Sequence, residues 1–236
     1  MHRVVIMRHG ESRYNVLNRY AGWLDCDLTP EGVAQARRAG QVLREREYSF
    51  DLAHTSMLKR AVETLGYALA EMGMNDIPVR RSWQLNERHF GALDDLTRAE
   101  AEARFGQETL RQCREDFRFP PPGSTLKDTA YSGELPPGGV MPASESMHDA
   151  TMRCLAYWQD VILPEVSTGK RALVVAHGDI LRLLTGCLLG KTEDEIIHAS
   201  VLPNATPMVF ELGEDLRVIG HIPLNEVRDT LQTERP

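Results

Sequence analysis

The sequence predicts an α/β fold: a mostly parallel sheet with helices on both faces. Short apolar runs alternate with longer segments whose apolar residues recur every three or four positions, the order of repeated strand–helix units. Two of the apolar runs end alike, Val4-Val5-Ile6-Met7-Arg8-His9-Gly10 and Ala172-Leu173-Val174-Val175-Ala176-His177-Gly178. A hydrophobic share of 42% over 236 residues supplies a substantial core.

The first strand is Val4 to Met7, and a polar loop runs from it to Leu28. Thr29-Pro30-Glu31-Gly32 then opens a helix, with threonine as cap and proline in the first turn. Val33, Ala36, Gly40 and Leu43 form its inward stripe. A second strand, Asp51 to His54, leads through Thr55-Ser56 into a helix that buries Leu58, Ala61, Val62, Leu65, Leu69 and Met72. Pro78 to Arg81 reads as a short strand, Asn86 to Asp95 as a charged loop, and Thr97 to Arg104 as a helix.

Pro120 to Ala143 has no periodicity and is bracketed by Pro-Pro-Pro-Gly and Pro-Pro-Gly-Gly, which suits an active-site lid or a disordered loop. A long helix is expected from Glu145 to about Val166, with Met147, Thr151, Leu155, Trp158 and Ile162 inward. Strand Ala172 to Val175, helix Ile180 to Leu189 and strand Met208 to Leu212 complete the order. There is no internal repeat and no linker, so residues 1–236 read as one domain.

Composition excludes several classes. A net charge of -7 argues against a general nucleic-acid surface. No apolar run is long enough to span a bilayer, and Met1-His2-Arg3-Val4 enters a strand without a signal-peptide core. Cys26, Cys113, Cys154 and Cys187 are scattered, which speaks against disulfides and against zinc. Cys154 and Cys187 lie on apolar helical faces as core fillers, and a reducing cytoplasm fits.

Ligands of open parallel sheets bind beyond the carboxyl ends of the strands. Two such strands, each ending in His-Gly, aim two imidazoles into one crevice, one as nucleophile and one beside developing charge. The glycines are expected to let a ligand approach the backbone. Arg8 adds a planar cation suited to phosphate or carboxylate. Arg60 stands at the start of a helix that follows a strand, where an anion is favoured, although a solvated arginine is the alternative. Glu87, in the dense loop Asn86-Glu87-Arg88-His89-Phe90-Gly91, reads as a general acid and base or as a partner for Arg88.

These residues match a known pattern. His9-Gly10-Glu11-Ser12-x-x-Asn15, Gly22-Trp23, Thr55-Ser56-x-Leu58-x-Arg60-Ala61, Leu85-Asn86-Glu87-Arg88-His89-Phe90-Gly91 and Ala176-His177-Gly178 resemble the cofactor-dependent phosphoglycerate mutases of the histidine phosphatase superfamily. The resemblance runs from residue 3 to about 222. It implies a three-layer α/β/α sandwich and a phosphohistidine at His9. It also implies that Arg8, Arg60 and His177 surround the transferring group and that Glu87 handles the substrate's hydroxyl proton. Ser12, Asn15, Gly22, Arg88, Arg98 and Arg114 would line the site of a small phosphorylated acid, with Ala21, Phe90, Gly178 and Asp179 beside them. The implied reaction interconverts 3- and 2-phosphoglycerate, with 2,3-bisphosphoglycerate as phosphoryl donor and no metal. The alternative is hydrolysis of a small phosphomonoester. A homodimer or homotetramer is left open.

Some positions depart from that pattern. Phe90 replaces a tyrosine, Arg98 a lysine, and Ala21 a threonine or similar residue, while Asn204-Ala205 stands for Thr-Gly. Glu115 stands where a second arginine is expected, and Asp179 where asparagine is. The tail Asn225 to Pro236 is short and has no lysine-rich end. Two outcomes are open for Glu115 and Asp179. Either they repel a highly charged donor, or they pair with a neighbour such as Arg111, Arg118 or Arg182.

Overall fold

A computed structural model describes residues 1–124, 131, 138 and 140–224. Its elements, in order, are β1 (His2–Arg8), α1 (Arg13–Val16), α2 (Pro30–Glu45), β2 (Leu52–Thr55), α3 (Lys59–Met72), β3 (Val79–Arg81), α4 (Arg98–Phe105) and α5 (Gln107–Glu115). After these come α6 (Met147–Tyr157), α7 (Leu163–Ser167), β4 (Ala172–Ala176), α8 (Gly178–Leu188), α9 (Glu193–His198), β5 (Pro207–Leu212) and β6 (Val218–Pro223).

The sheet runs β3-β2-β4-β1-β5-β6. β3, β2, β4 and β1 are mutually parallel, and β5 and β6 add an antiparallel edge. Alternation along the strands divides the core. Val4, Ile6, Ala172, Val174 and Phe210 pack against Met147, Ala150 and Cys154 of α6 and against Ile180, Leu181 and Leu184 of α8. Val5, Met7, Leu173 and Val175 face Ala39, Val42 and Leu43 of α2 and Ala61, Leu65 and Leu69 of α3. The result is three layers, helices–sheet–helices.

Local chemistry sets the helix starts. The Thr29 side chain accepts from the Gly32 amide at 2.9 Å with Pro30 in the first turn, and Ser146 and Asp149 form a reciprocal capping box on α6. The helix expected from Glu145 to about Val166 is corrected at its start and in its interior. It starts at Met147, and a π turn over Trp158–Ile162 interrupts it before α7. Pro164 explains the interruption, because it has no N–H for an α-helical bond. The short helices α1, α5 and α9, which bury at most one residue each, and the exposed edge strand β6 escaped the sequence reading. Phe90–Asp94 contains a single 3-10 turn.

The lid expected over Pro120 to Ala143 falls largely on residues 125–130, 132–137 and 139, outside the described residues, as does the tail from Asn225. At its base, Ala92 N donates to Pro122 O and Ser124 N to Ala143 O. Tyr131 is buried against Trp23, 5.0 Å between ring centroids, and its hydroxyl accepts from Asn86 at 3.0 Å. Among the described residues no helix is long and apolar enough to cross a membrane. All four cysteines are free.

Candidate active site

Parallel pairing brings the two histidines together. β1 and β4 are neighbours in register Arg8↔Ala176, so the next residue of each strand is a histidine at the carboxyl edge. The His9 amide donates to Ala176 O at 3.0 Å, and the two imidazole centroids lie 5.2 Å apart. Asn204 and Ala205 fix the end of β1: Asn204 Nδ2 donates to His9 O at 2.8 Å and Ala205 N to Arg8 O at 3.0 Å.

His9 Nδ1 lies 2.7 Å from Gly10 O. A carbonyl only accepts, so Nδ1 carries the proton and Nε2 keeps its lone pair. Burial, then Arg60 and Arg8, holds the His9 pKa well below its usual value. The ring is thus a neutral nucleophile at physiological pH.

The glycines after the two histidines make room for close packing within the protein. A Cβ on Gly10 would lie 2.4 Å from Gly32 O, and one on Gly178 would lie 3.3 Å from Arg8 Nε. The space at Gly10 admits the start of α2, and that at Gly178 admits the Arg8 side chain.

Arg60 is buried, not solvated. Its guanidinium donates to Leu24 O and Gly22 O, each at 2.9 Å, and so ties the loop after β1 to the start of α3. Arg8 donates from Nη1 to Leu202 O at 3.1 Å. Two buried nitrogens here, Arg8 Nε and His177 Nδ1, have no hydrogen-bond partner among the described residues. Unpaired buried polar groups are costly. Their convergence beside His9 is what a phosphoryl group would satisfy.

Glu87 faces the same cleft. One oxygen accepts from the Arg88 amide at 2.9 Å, and the other lies 3.4 Å from the Asp179 amide at the start of α8. Its enclosed position, then the Asp179 charge, raises its pKa against the pull of Arg60 and Arg8. A carboxyl kept protonated can donate to a departing oxygen. It does not pair with the Arg88 side chain, because that arginine belongs to Asp179.

Asp179 shows which of the two outcomes holds. Its carboxylate accepts from Arg88 Nε at 3.0 Å and from Arg182 Nη2 at 3.1 Å. Burial raises its pKa, but Arg88 and Arg182 outweigh that, and it stays ionised. Glu115 is paired as well, with Arg111 at 3.0 Å and Arg114 at 3.3 Å, while Arg118 binds Glu193 instead. Neither carboxylate stands bare before an anion. The Asp179 charge still reaches Glu87. Asp179→Asn removes that charge and frees Arg88, and both changes favour ionised Glu87. The alkaline limb of His9 phosphorylation, measured in single turnovers against pH, is expected to move to lower pH. An unmoved limb would show that Asp179 does not tune Glu87.

The cleft encloses about 370 Å³. Of the residues expected at the site, Arg8, His9, Ser12, Asn15, Ala21, Gly22, Arg60, Glu87, Arg88, Phe90, Arg98, Arg114 and Asp179 line it. His177 and Gly178 stand just behind this lining: His177 is fully buried with its ring 5.2 Å from that of His9, and Gly178 sits under Arg8. Phe90 packs against Tyr20 with the rings tilted, 5.1 Å between centroids, and lies under the Arg88 guanidinium at 4.8 Å. Tyr14, Arg19, Tyr20 and Arg182 also line the wall. No motif announced them. Among the described residues no three His, Cys, Asp or Glu side chains converge as a metal centre.

A buried pair behind the wall escaped the sequence reading. Arg153 grips Glu145 through Nε at 2.7 Å and Nη2 at 2.8 Å. It also donates to Gln84 O, Asn86 O and Glu87 O at 2.8–2.9 Å. Glu145 in turn accepts from the His89 amide at 2.9 Å, and Trp23 Nε1 donates to Glu87 O at 2.6 Å. Side chains from α6 and from two loops thus clamp the segment that carries Glu87.

Comparison with known proteins agrees with this architecture. Residues 4–222 match the model of the histidine phosphatase superfamily (branch 1). The chain is 42% identical over 228 residues to a 2,3-bisphosphoglycerate-dependent phosphoglycerate mutase of Nitratidesulfovibrio vulgaris (strain DSM 19637 / Miyazaki F), covering 94% of this chain and 90% of that one. Among solved structures, a mycobacterial glucosyl-3-phosphoglycerate phosphatase in complex with VO3 superposes with TM-score 0.69 at 28% identity, over 92% of this chain and 96% of that one. Bacillus stearothermophilus YhfR superposes with TM-score 0.70 at 23% identity, over 89% and 91% of the two chains, which speaks to the fold alone.

Proposed function

The chain belongs to the histidine phosphatase superfamily, and on that premise we propose that it transfers phosphoryl groups through His9, interconverting 3- and 2-phosphoglycerate. One observation carries the reading. A neutral imidazole with a bare Nε2 sits beside two buried nitrogens without partners among the described residues, Arg8 Nε and His177 Nδ1, with a carboxyl of raised pKa in the same cleft.

His9 Nε2 attacks phosphorus, and the bond from phosphorus to the departing oxygen breaks. Glu87 gives that oxygen its proton. In the return step Glu87 takes the proton of the acceptor hydroxyl, that oxygen attacks phosphorus, and the P–N bond breaks. Arg8, Arg60 and His177 meet the charge of the transferring group, whose chemistry asks chiefly for positioning and electrostatic stabilisation. Bound 2,3-bisphosphoglycerate would supply the phosphoryl group that charges His9, held by Arg8 and His177 at one end and by Arg98 and Arg114 at the mouth. A cytoplasmic setting suits such a substrate.

A phosphatase is the second reading, and the pairing of Arg88 with Asp179 favours it. That pair leaves one cation fewer to retain a second anionic group. Both readings are tested with 3-phosphoglycerate, with and without 2,3-bisphosphoglycerate and with a chelator present throughout. Phosphorus NMR is expected to show 2-phosphoglycerate forming, faster with the bisphosphate. Release of inorganic phosphate alone would replace the mutase reading by the phosphatase one, and no turnover of any kind would overturn both.

A further inference from the structure

We propose that Ser56 is a positioning residue that holds His177 in the tautomer with its proton on Nδ1. Only the catalytic consequence rests on the phosphoryl-transfer reading above. The tautomer follows from hydrogen-bond accounting.

Ser56 follows β2, the strand paired with β4, whose end carries His177. Both side chains are fully buried. Ser56 Oγ lies 2.7 Å from His177 Nε2. The Leu58 amide, at the entry to α3, donates to the same Oγ at 3.1 Å. The hydroxyl therefore already accepts one hydrogen bond and has a single proton to give. His177 Nδ1 has no partner among the described residues.

Two arrangements are open. If His177 carried its proton on Nε2, that proton would go to Ser56 Oγ. The serine's own proton would then be stranded, and Nδ1 would present an unpaired lone pair, which makes two unmet buried groups. If Ser56 donates to Nε2, the hydroxyl is satisfied and only Nδ1–H remains. One unmet donor beside His9 is less costly than two unmet groups, and it is the polarity a phosphoryl oxygen needs. A doubly protonated ring would also strand the serine proton. Burial, then the charge of Arg60, disfavours that form in the same direction. A lone pair at Nδ1 would instead repel phosphoryl oxygens, so the tautomer decides whether His177 stabilises the transferring group or opposes it.

The test uses the full chain with 15N-labelled histidine. Two-bond proton–nitrogen correlations of the resting protein near pH 8 report which ring nitrogen is protonated, and the His177 signals are identified by their loss in His177→Gln. The Nδ1–H pattern is expected. Ser56→Ala is expected to shift His177 toward the Nε2–H form and to slow His9 phosphorylation by about 10²-fold with little change in KM. Ser56→Thr, which keeps the hydroxyl, is expected to restore the pattern. An Nε2–H pattern in the unmodified protein overturns the proposal and needs no variant to fold. An unchanged tautomer in Ser56→Ala overturns it as well. An Nδ1–H pattern in a protein that forms no phosphohistidine would leave the tautomer standing and remove the phosphoryl-transfer reading instead.

Discussion

His9→Ala is expected to lower turnover by on the order of 10⁴-fold or more and to leave no acid-labile phosphate on the protein. Among the described residues, the neighbouring nucleophilic groups are otherwise engaged. The Ser12 hydroxyl donates to Asn15 Oδ1 at 3.0 Å within the cap of α1. His177 has one nitrogen held by Ser56, and the partial burial of Cys113 raises its thiol pKa. The fold should tolerate the change, because the backbone on either side of His9 is held by Ala176, Asn204 and Thr64, not by the imidazole. Circular dichroism separates loss of chemistry from loss of fold. The check is phosphate incorporation from a labelled donor, quenched in alkali and then exposed to acid. Turnover within a few-fold of the parent protein would end the covalent mechanism.

Arg153→Ala is expected to have the largest effect on stability. The arginine is almost fully buried and donates to a carboxylate and to three backbone carbonyls. Its removal leaves the buried Glu145 carboxyl without its partner, a loss of roughly 3–5 kcal/mol. At this chain length each kcal/mol moves the melting temperature by roughly 2–4 °C, so a fall of about 10 °C is expected. Activity should fall too, by about 10-fold or more, because the Asn86–His89 segment loses the clamp that orients Glu87. Replacing both partners, as in Glu145→Leu with Arg153→Met, should recover much of the melting temperature, since no lone charge is left behind. It should not recover the rate. A melting temperature within about 2 °C of the parent for Arg153→Ala would show that the clamp is not structural. Recovery of rate in the double variant would show that it does not position Glu87.

Most of the sheet and its long helices were legible in the sequence because their signals are local. β1, β2, β4 and β5 are short apolar runs, and α2 and α3 carry full apolar stripes, α2 with Thr29 as a cap at its start. The elements that escaped are short or at the edge. β6 lies exposed along one edge, with Ile219 and Ile222 in solvent, so burial imposes no pattern on it. The helices α1, α5 and α9 bury few side chains or none. The π turn in the helix after Ser146 came from a single proline inside an otherwise regular stripe.

The cleft was legible for a related reason. Histidine after an apolar strand, twice, places two imidazoles at one edge of a sheet whenever the strands are parallel neighbours, and that much is contained in the chain itself. Residue types and their nearest neighbours in sequence pointed to His9, His177, Arg8, Arg60 and Glu87, while Tyr14, Arg19 and Tyr20 reach the cleft with no such signal. Tertiary structure alone decided what each of them is paired with. Arg88 and Asp179 are 91 positions apart, and Ser56 and His177 are 121 apart. A charge in a motif reads as bare until the fold brings up its counter-charge. Asp179 is a repelling carboxylate in the sequence and the link between two arginines in the structure, because α8 carries it to the loop after Asn86. The protonation of a buried imidazole is settled in the same way, by whichever oxygen the packing sets against each nitrogen.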